Sequence, residues 1–203
     1  MNNLRNLNWS IISSWIVLAI IGLVAIYSAT QGPVSEFLPD YIQNNFAKQL
    51  FFVALAVVLV LLFQFFTPRT YMQLSYLFYG VALLLVILTL FFGTEINGAK
   101  SWIRIGGFNL QASELMKIAT ILATAQYLTS RRDISAENIR YALIAVSMIL
   151  VPTIFIFLQN DTGTAMVFLA LIPVMLFWSG LPYGVSVYIV SPAIFLYLTV
   201  FDW

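Results

Sequence analysis

The sequence predicts an all-α membrane protein, a polytopic transmembrane helix bundle with about seven spans. Hydrophobic residues make up 62% of the 203 residues and charged residues only 8%. A soluble domain carries about 25% charged residues, so this composition is typical of a chain that lies in lipid. The charged residues are also separated by apolar intervals, and several of these are long enough to cross a bilayer.

The limits of the spans follow from these charge-free intervals. The interval from Lys117 to Arg131 is short and fills a membrane only if its helix begins near Ser113. The interval from Asp161 to Asp202 is too long for one span, and the turn residues of SGLPYG (179–184) divide it. We therefore predict a single transmembrane domain, residues 1–203, with spans at roughly 10–30, 47–66, 72–93, 113–129, 140–159, 163–179 and 185–202.

Composition also excludes several kinds of chemistry. The chain has no cysteine, which excludes thiol nucleophiles and disulfides, and no histidine, which removes the usual general base. Acid–base work inside the chain would fall to its eight carboxylates and nine Lys and Arg residues. A net charge of +1 gives no reason to expect a nucleic-acid partner. No cleavage site clearly follows a short hydrophobic segment, so the first span is predicted to be uncleaved.

Positive charges predict a cytoplasmic N-terminus. In that orientation most arginines lie in cytoplasmic loops, and the SRRD loop after the fourth span is the strongest local indication. Tryptophans favour interfaces, as expected for Trp9, Trp178 and Trp203 at span ends. The cytoplasmic residues would be Arg5, Arg69, Arg131, Arg132 and Arg140, with Lys48, Lys100 and Arg104 outside.

Glu114 and Lys117 stand where the fourth span begins. They are one helical turn apart, so they lie on the same face and can neutralise each other in part. Ser113 is a plausible N-cap, and Glu114 suits the positive end of a helix, whereas Lys117 opposes it. Two interpretations stay open: an interfacial lysine that extends to water, or a cation held for an anion from outside.

A second polar cluster, LQNDTGTA, lies between the fifth and sixth spans. Asp161 is in a position to cap the sixth helix, and we favour this interpretation for Asp161 alone. Both polar clusters lie at the outward ends of their spans, so they could face one outward-opening cavity. The cluster consists of Gln159, Asn160, Asp161, Thr162 and Thr164, with Gly163 among them.

Two further features hint at a distorted bundle with a polar surface. Pro152, Pro173 and Pro192 fall inside three successive spans, and each frees a carbonyl that needs another partner. The stretch GAKSWIRIGGF (98–108) resembles a short re-entrant or interfacial loop, with Trp102 as its anchor. Lys100 and Arg104 in this loop would be available to anions.

These stretches resemble the SEDS family (the FtsW/RodA/SpoVE family), the polytopic glycosyltransferases of bacterial cell-wall synthesis. IGLVAIYSAT (21–30) is similar to the first span of the family, and NGAKSWIRIGGFNLQASELMKIA (97–119) is similar to its N-G-A-x-x-W motif with the following Q-P-S-E stretch. QNDTGTAMVF (159–168) resembles Q-P-D-x-G-[ST]-[AS]. The compact RIGGFNLQ favours the RodA-like branch.

The chain departs from the family pattern in three places. Ala112 and Asn160 each stand where the family has a proline, and we expect both changes to loosen a helix entry. The family has about ten spans, and its outer loop after the seventh carries the aspartate taken as the catalytic base; this chain stops at Trp203. We therefore expect this chain to be the N-terminal part of such an enzyme, to carry no catalytic residue and to be inactive alone. The missing general base would increase the rate of transfer by roughly 10²–10⁴.

The resemblance implies a peptidoglycan polymerase that extends glycan strands from lipid II during cell elongation and shape maintenance. It implies the bacterial inner (cytoplasmic) membrane, a class B penicillin-binding protein transpeptidase as partner, and contact with membrane lipid. A divalent cation, Mg²⁺ or Mn²⁺, is the candidate cofactor, with ligands unknown. The pyrophosphate leaving group needs cations. The candidate substrate-binding residues are Lys100, Trp102, Arg104, Glu114, Lys117 and Asp161.

Two alternatives from other classes stay open. A flippase or transporter of lipid-linked oligosaccharides would also require charge within the membrane and interrupted helices. A non-catalytic membrane scaffold of the cell-wall machinery would only recruit enzymes. Polymer formed by the purified protein distinguishes the first interpretation from both.

Overall fold

The computed structural model describes residues 8–31, 45–105, 108–130 and 139–180, together with Ser191. Long helices make up most of these residues, and a small antiparallel sheet lies between the third and fourth helices. The elements in chain order are α1 Trp9–Gln31, α2 Asn45–Phe63, α3 Pro68–Phe92, β1 Thr94–Ile96, β2 Ala99–Ile105, β3 Phe108–Gln111, α4 Ala112–Ser130, α5 Ile139–Leu158 and α6 Thr162–Trp178.

The helices lie where the first six spans are predicted, and the seventh, 185–202, lies outside the described residues. In the described part of the chain four helices are long and apolar enough to cross a membrane: Trp9–Thr30, Asn45–Phe63, Pro68–Phe92 and Arg140–Leu158. Helix α6 is apolar but shorter, and α4 is not among these spans. The polytopic membrane fold is confirmed, whereas the number of crossings stays a prediction.

The chain divides into two compact units, and the first extends to Thr67. Its helices α1 and α2 pack on each other, with the rings of Tyr27 and Phe46 edge to face at a centroid distance of 5.2 Å. No residue of α2 is buried. A helix that is hydrophobic on all sides and exposed on all sides is suited to lipid.

The second unit, from Pro68 onward, contains a packed core in which α4 contacts α3, α5 and α6. Small side chains on α4 let the neighbouring helices approach closely, as is typical of helices that associate inside a membrane. The larger core side chains interlock around them. Ala112, Ala119, Ala123, Met116, Val86, Ile149 and Phe168 are all almost completely buried.

The stretch predicted as a re-entrant or interfacial loop is instead a three-stranded antiparallel sheet of order β1-β2-β3. The turn between β1 and β2 is Asn97–Gly98, and both residues have positive φ (53° and 82°). This is the geometry of a type I′ hairpin turn, for which Asn-Gly is the preferred pair. The loop expectation was wrong because strand pairing provides partners for the backbone polar groups that a loop would leave to water.

Tyr79 of α3 compensates for the proline inside α5. Pro152 has no N–H, so the carbonyl of Met148 loses its helical partner. The Tyr79 hydroxyl donates to that carbonyl at 2.8 Å. The prediction that each proline frees a carbonyl in need of another partner is thus met at Pro152 by a neighbouring helix; Pro173 lies inside α6, and Pro192 lies outside the described residues.

Candidate functional site

The turn between α5 and α6 joins three elements through Gln159. This side chain is almost completely buried, and its amide donates to the Val86 carbonyl at 2.6 Å and to the Thr89 hydroxyl at 2.8 Å, both on α3. The carbonyl of Gln159 accepts from the backbone N–H of Lys100 at 2.9 Å. One residue of the sequence motif therefore connects the ends of α3 and α5 to strand β2.

Asp161 caps α6, as its favoured interpretation predicts. Its Oδ1 accepts from the backbone N–H of Thr164 at 3.1 Å, which satisfies a donor in the first helical turn. Its Oδ2 accepts from the Ser101 hydroxyl at 3.1 Å and from the Gln111 amide at 2.9 Å. Three protein donors therefore bind this half-buried carboxylate, and together these bonds attach the sheet to the start of α6.

Asn160 has a backbone conformation that proline cannot adopt. Its φ is +63°, whereas a proline ring fixes φ near −65°. Its side-chain amide donates to the Gly98 carbonyl at 3.0 Å, in the turn of the first hairpin. The expectation that Asn160 loosens the helix entry was wrong, because this asparagine adds a specific contact with the sheet.

Lys100 and Arg104, the two cations of β2, differ in their engagement. The Lys100 ammonium donates to the Phe91 carbonyl at 3.1 Å, and a cation at the end of α3 is favoured by the helix dipole. Arg104 is exposed, and its Nε donates to the Asn109 side chain at 3.4 Å, a long bond. Lys100 is therefore largely used by the protein, and Arg104 remains the cation more open to an external anion.

Trp102 occupies the middle of the sheet. It is half-buried, it lies opposite Thr94 on one side and Gln111 on the other, and its carbonyl accepts from the Thr94 hydroxyl. Its position is that of a strand residue held by both neighbours.

Glu114 and Lys117 form the ion pair that their spacing predicts. The Lys117 Nζ to Glu114 Oε1 distance is 2.8 Å, with the Glu114 side chain 58% and the Lys117 side chain 25% exposed. The prediction of Ser113 as N-cap was wrong, because α4 already begins at Ala112 and the Ser113 hydroxyl is buried without a partner among the described residues. The pair stands in the first turns of α4, directly after β3.

Asp161 bonds to Ser101 of β2 and to Gln111 of β3, whereas the Glu114–Lys117 pair is a separate contact on α4. Arg104 bonds instead to Asn109. The Asp161 contacts and the ion pair both lie where the sheet meets the ends of the helices. Within residues 8–31, 45–105, 108–130 and 139–180, no group of three or more Asp, Glu, His or Cys side chains could hold a metal ion.

Sequence reasoning missed a row of buried polar groups on α4. Thr120 and Thr124 are completely buried, and in the part of the chain that the structure describes their hydroxyls have no hydrogen-bond partner. Together with Ser113 and Lys117, their spacing of three and four residues puts them on one helix face, and this spacing was the signal available in the sequence.

The profile of the FtsW/RodA/SpoVE family, described as cell cycle proteins, matches residues 8–202. The chain belongs to this family. It is 34% identical over 182 residues to the peptidoglycan glycosyltransferase RodA of Treponema pallidum. The aligned region covers 90% of this chain and 41% of that relative. The chain thus spans less than half the length of this relative.

Solved structures agree with the family assignment. The crystal structure of the rod shape determining protein RodA of Thermus thermophilus matches with a TM-score of 0.77 and 31% identity, over 94% of this chain and 60% of that one. A structure described as a peptidoglycan synthase complex that coordinates polymerization and crosslinking matches with a TM-score of 0.79 and 31% identity, over 96% and 54% of the two chains. The chain therefore has the fold of a multi-pass membrane protein of the SEDS type.

Proposed function

We propose that the protein containing this chain is a peptidoglycan glycosyltransferase that extends glycan strands from lipid II at the outer face of the bacterial inner membrane. The match of residues 8–202 to the family, with a glycosyltransferase among its relatives, carries this proposal. The RodA-like neighbours support a role in cell elongation and shape. A cytoplasmic N-terminus would place the sheet and the Glu114–Lys117 pair on the outer side.

In this proposal the described residues of the chain bind the substrate rather than supply the general base. Transfer expels a pyrophosphate, whose developing charge is stabilised by cations held in place. Lys117 is suited to this work because Glu114 orients its ammonium while a quarter of the side chain stays exposed. Arg104 is the second candidate, since its single contact is long. Asp161 is occupied by three donors, so it would shape the site rather than accept a proton.

A transpeptidase is the proposed partner, because a structural neighbour describes polymerization together with crosslinking. We propose that it is a class B penicillin-binding protein. Mg²⁺ or Mn²⁺ is a proposed cofactor, with its ligands outside the described residues.

The test uses the protein as its gene encodes it, purified and incubated with lipid II and divalent cation. Glycan polymer on a gel is the expected result. Movement of lipid II across vesicle membranes without polymer would favour the transporter instead. Absence of both activities, together with retained binding of a transpeptidase, would favour the scaffold.

A further inference from the structure

The sequence contains one Asn-Gly pair, Asn97–Gly98, and the structure places it in the turn of the first hairpin. Asparagine deamidates most readily before glycine, because glycine has no side chain that shields its backbone nitrogen. Asn97 and Gly98 are both exposed, and the Asn97 side chain makes no hydrogen bond with the described residues. The side-chain amide of Asn97 is therefore in contact with water and free to react.

The other described asparagines do not combine these features. The side chains of Asn8 and Asn109 accept hydrogen bonds, and that of Asn160 donates one. Each of these three, and Asn45 as well, is followed by a residue that has a side chain. Among the described asparagines, Asn97 is thus the one whose side chain is unbonded and whose next residue is glycine.

The reaction closes a five-membered ring between the two turn residues. The backbone nitrogen of Gly98 attacks Cγ, the side-chain carbonyl carbon of Asn97. The new C–N bond forms as the Cγ–Nδ2 bond breaks, and the proton of the attacking nitrogen leaves with the amide as ammonia. Water then opens the cyclic imide at either carbonyl, which gives aspartate or isoaspartate. In sum, one amide and one water yield one carboxylic acid and one ammonia.

The closed turn holds the reacting atoms apart. In a type I′ turn the first central residue has φ of about +60° and ψ of about +30°, and the φ of Asn97 is 53°. Ring closure requires the Gly98 nitrogen on the same side of the Cα–C bond as the Asn97 side chain, whereas this ψ turns the nitrogen away. The reaction therefore proceeds from molecules in which the turn has opened locally.

Asn160 holds this turn from outside the hairpin. Its side-chain amide donates to the Gly98 carbonyl at 3.0 Å, and the neighbouring Gln159 carbonyl accepts from the Lys100 N–H at 2.9 Å. The turn between α5 and α6 thus binds the hairpin at Gly98 and again two residues later. We propose that Asn97–Gly98 is a site of spontaneous deamidation, and that the Asn160 bond controls its rate by keeping the turn in the protecting geometry.

The two products affect the sheet differently. Aspartate keeps the turn, since Asp-Gly also favours type I′, and it adds a negative charge two residues from Glu95. Isoaspartate adds one carbon atom to the main chain, so the two-residue turn no longer fits the pairing of Ile96 with Ala99. The bond between Asn160 and Gly98 is then lost. None of these steps requires polymerisation, so the site is independent of the function proposed above.

The test measures deamidation over time in the protein as its gene encodes it, reconstituted in lipid vesicles and kept in warm, mildly alkaline buffer. Peptide mapping by mass spectrometry gives the converted fraction at each asparagine and distinguishes isoaspartate from aspartate. Asn160→Gly is the main variant, because glycine adopts the φ of 63° freely and lacks the amide. The loss of one neutral hydrogen bond should increase opening, and with it deamidation at residue 97, about 2- to 10-fold.

Two controls accompany this comparison. Asn109, in the second hairpin, should stay unconverted in both proteins. A sample unfolded in urea gives the rate of the unprotected pair, which should exceed the rate in the folded wild type.

Equal rates at residue 97 in the wild type and in Asn160→Gly would overturn the control by Asn160. An intact Asn97 in both folded proteins, over a period in which the unfolded sample converts, would overturn the site itself. Conversion of Asn109 as fast as that of Asn97 would overturn the site as well, because the turn would then confer no selectivity.

Discussion

Replacement of Lys117 by alanine separates a structural lysine from one that contacts substrate. A lysine that only extends to water tolerates replacement by another polar residue with little loss. A lysine held by Glu114 for a pyrophosphate does not, because its charge acts on the substrate directly. We expect Lys117→Ala to reduce polymerisation strongly while the protein remains folded and in the membrane.

The structure indicates how large the loss of folding stability and the loss of transfer rate should each be. The Glu114 side chain of the ion pair is more than half exposed, and exposed ion pairs contribute about 0.2–1 kcal/mol to stability. The loss of folding stability should thus stay below about 1 kcal/mol. A hydrogen bond from an ammonium to a charged acceptor contributes about 1.5–3 kcal/mol. If that contact strengthens in the transition state, its removal slows transfer about 10- to 150-fold, at roughly 1.4 kcal/mol per factor of ten.

The assay measures the initial rate of glycan polymer formation at equal amounts of reconstituted protein. Lys100→Ala is the matched control, since its ammonium donates to the carbonyl of Phe91 and serves the end of α3. It should lower the thermal midpoint slightly and leave the rate within about threefold, a change of less than 1 kcal/mol. Glu114→Gln keeps the shape but weakens the hold on the lysine, so its rate should lie between those of the wild type and Lys117→Ala.

A near-normal rate for Lys117→Ala would refute the reasoning and restore the interfacial interpretation of this lysine. A low rate accompanied by loss of the protein from the membrane would refute it as well. In that case the pair would stabilise the fold by far more than its exposure allows.

Three further changes test the packing of the second unit. Gly93→Ala should destabilise the protein and lower its thermal midpoint, because a Cβ there would collide with the backbone carbonyl four residues earlier. Tyr79→Phe leaves the carbonyl of Met148 unpaired and should cost about 1–3 kcal/mol in denaturant unfolding. Thr124→Val removes a buried hydroxyl without a described partner, so it should be neutral or stabilising; Thr153→Val, which loses a bond to its own helix, is the control and should destabilise.

The helices were predictable because bilayer thickness and charge act on continuous stretches of sequence. The span predicted at 10–30 illustrates this, since α1 occupies Trp9–Gln31. The sheet was not predicted, although Asn97–Gly98 followed by an alternating strand was a readable hairpin signal. Counting charge-free intervals detects only stretches that are apolar enough to cross a membrane, so it assigns any short polar segment to a loop.

The candidate site was predictable only in its local contacts. Spacing alone indicated the Glu114–Lys117 pair and the cap by Asp161. The bonds from Gln159 to Thr89, and from Asp161 to Ser101, join residues far apart in sequence. No local pattern contains the position of such partners, because the tertiary fold brings them together.

Helix α4 has a consequence for how the protein is made. Among the described helices of 18 or more residues, α4 is the one that is not apolar enough to count as a membrane span. It carries Glu114, Lys117 and a row of threonines. Such a segment gains little by leaving the translocon for lipid alone, because its charged and hydroxyl side chains would lose water there without a fixed partner. Its small residues fit against α3, the helix made just before it. If α3 and α4 enter the membrane together as a helical hairpin, α4 packs on α3 before its polar residues are exposed to lipid.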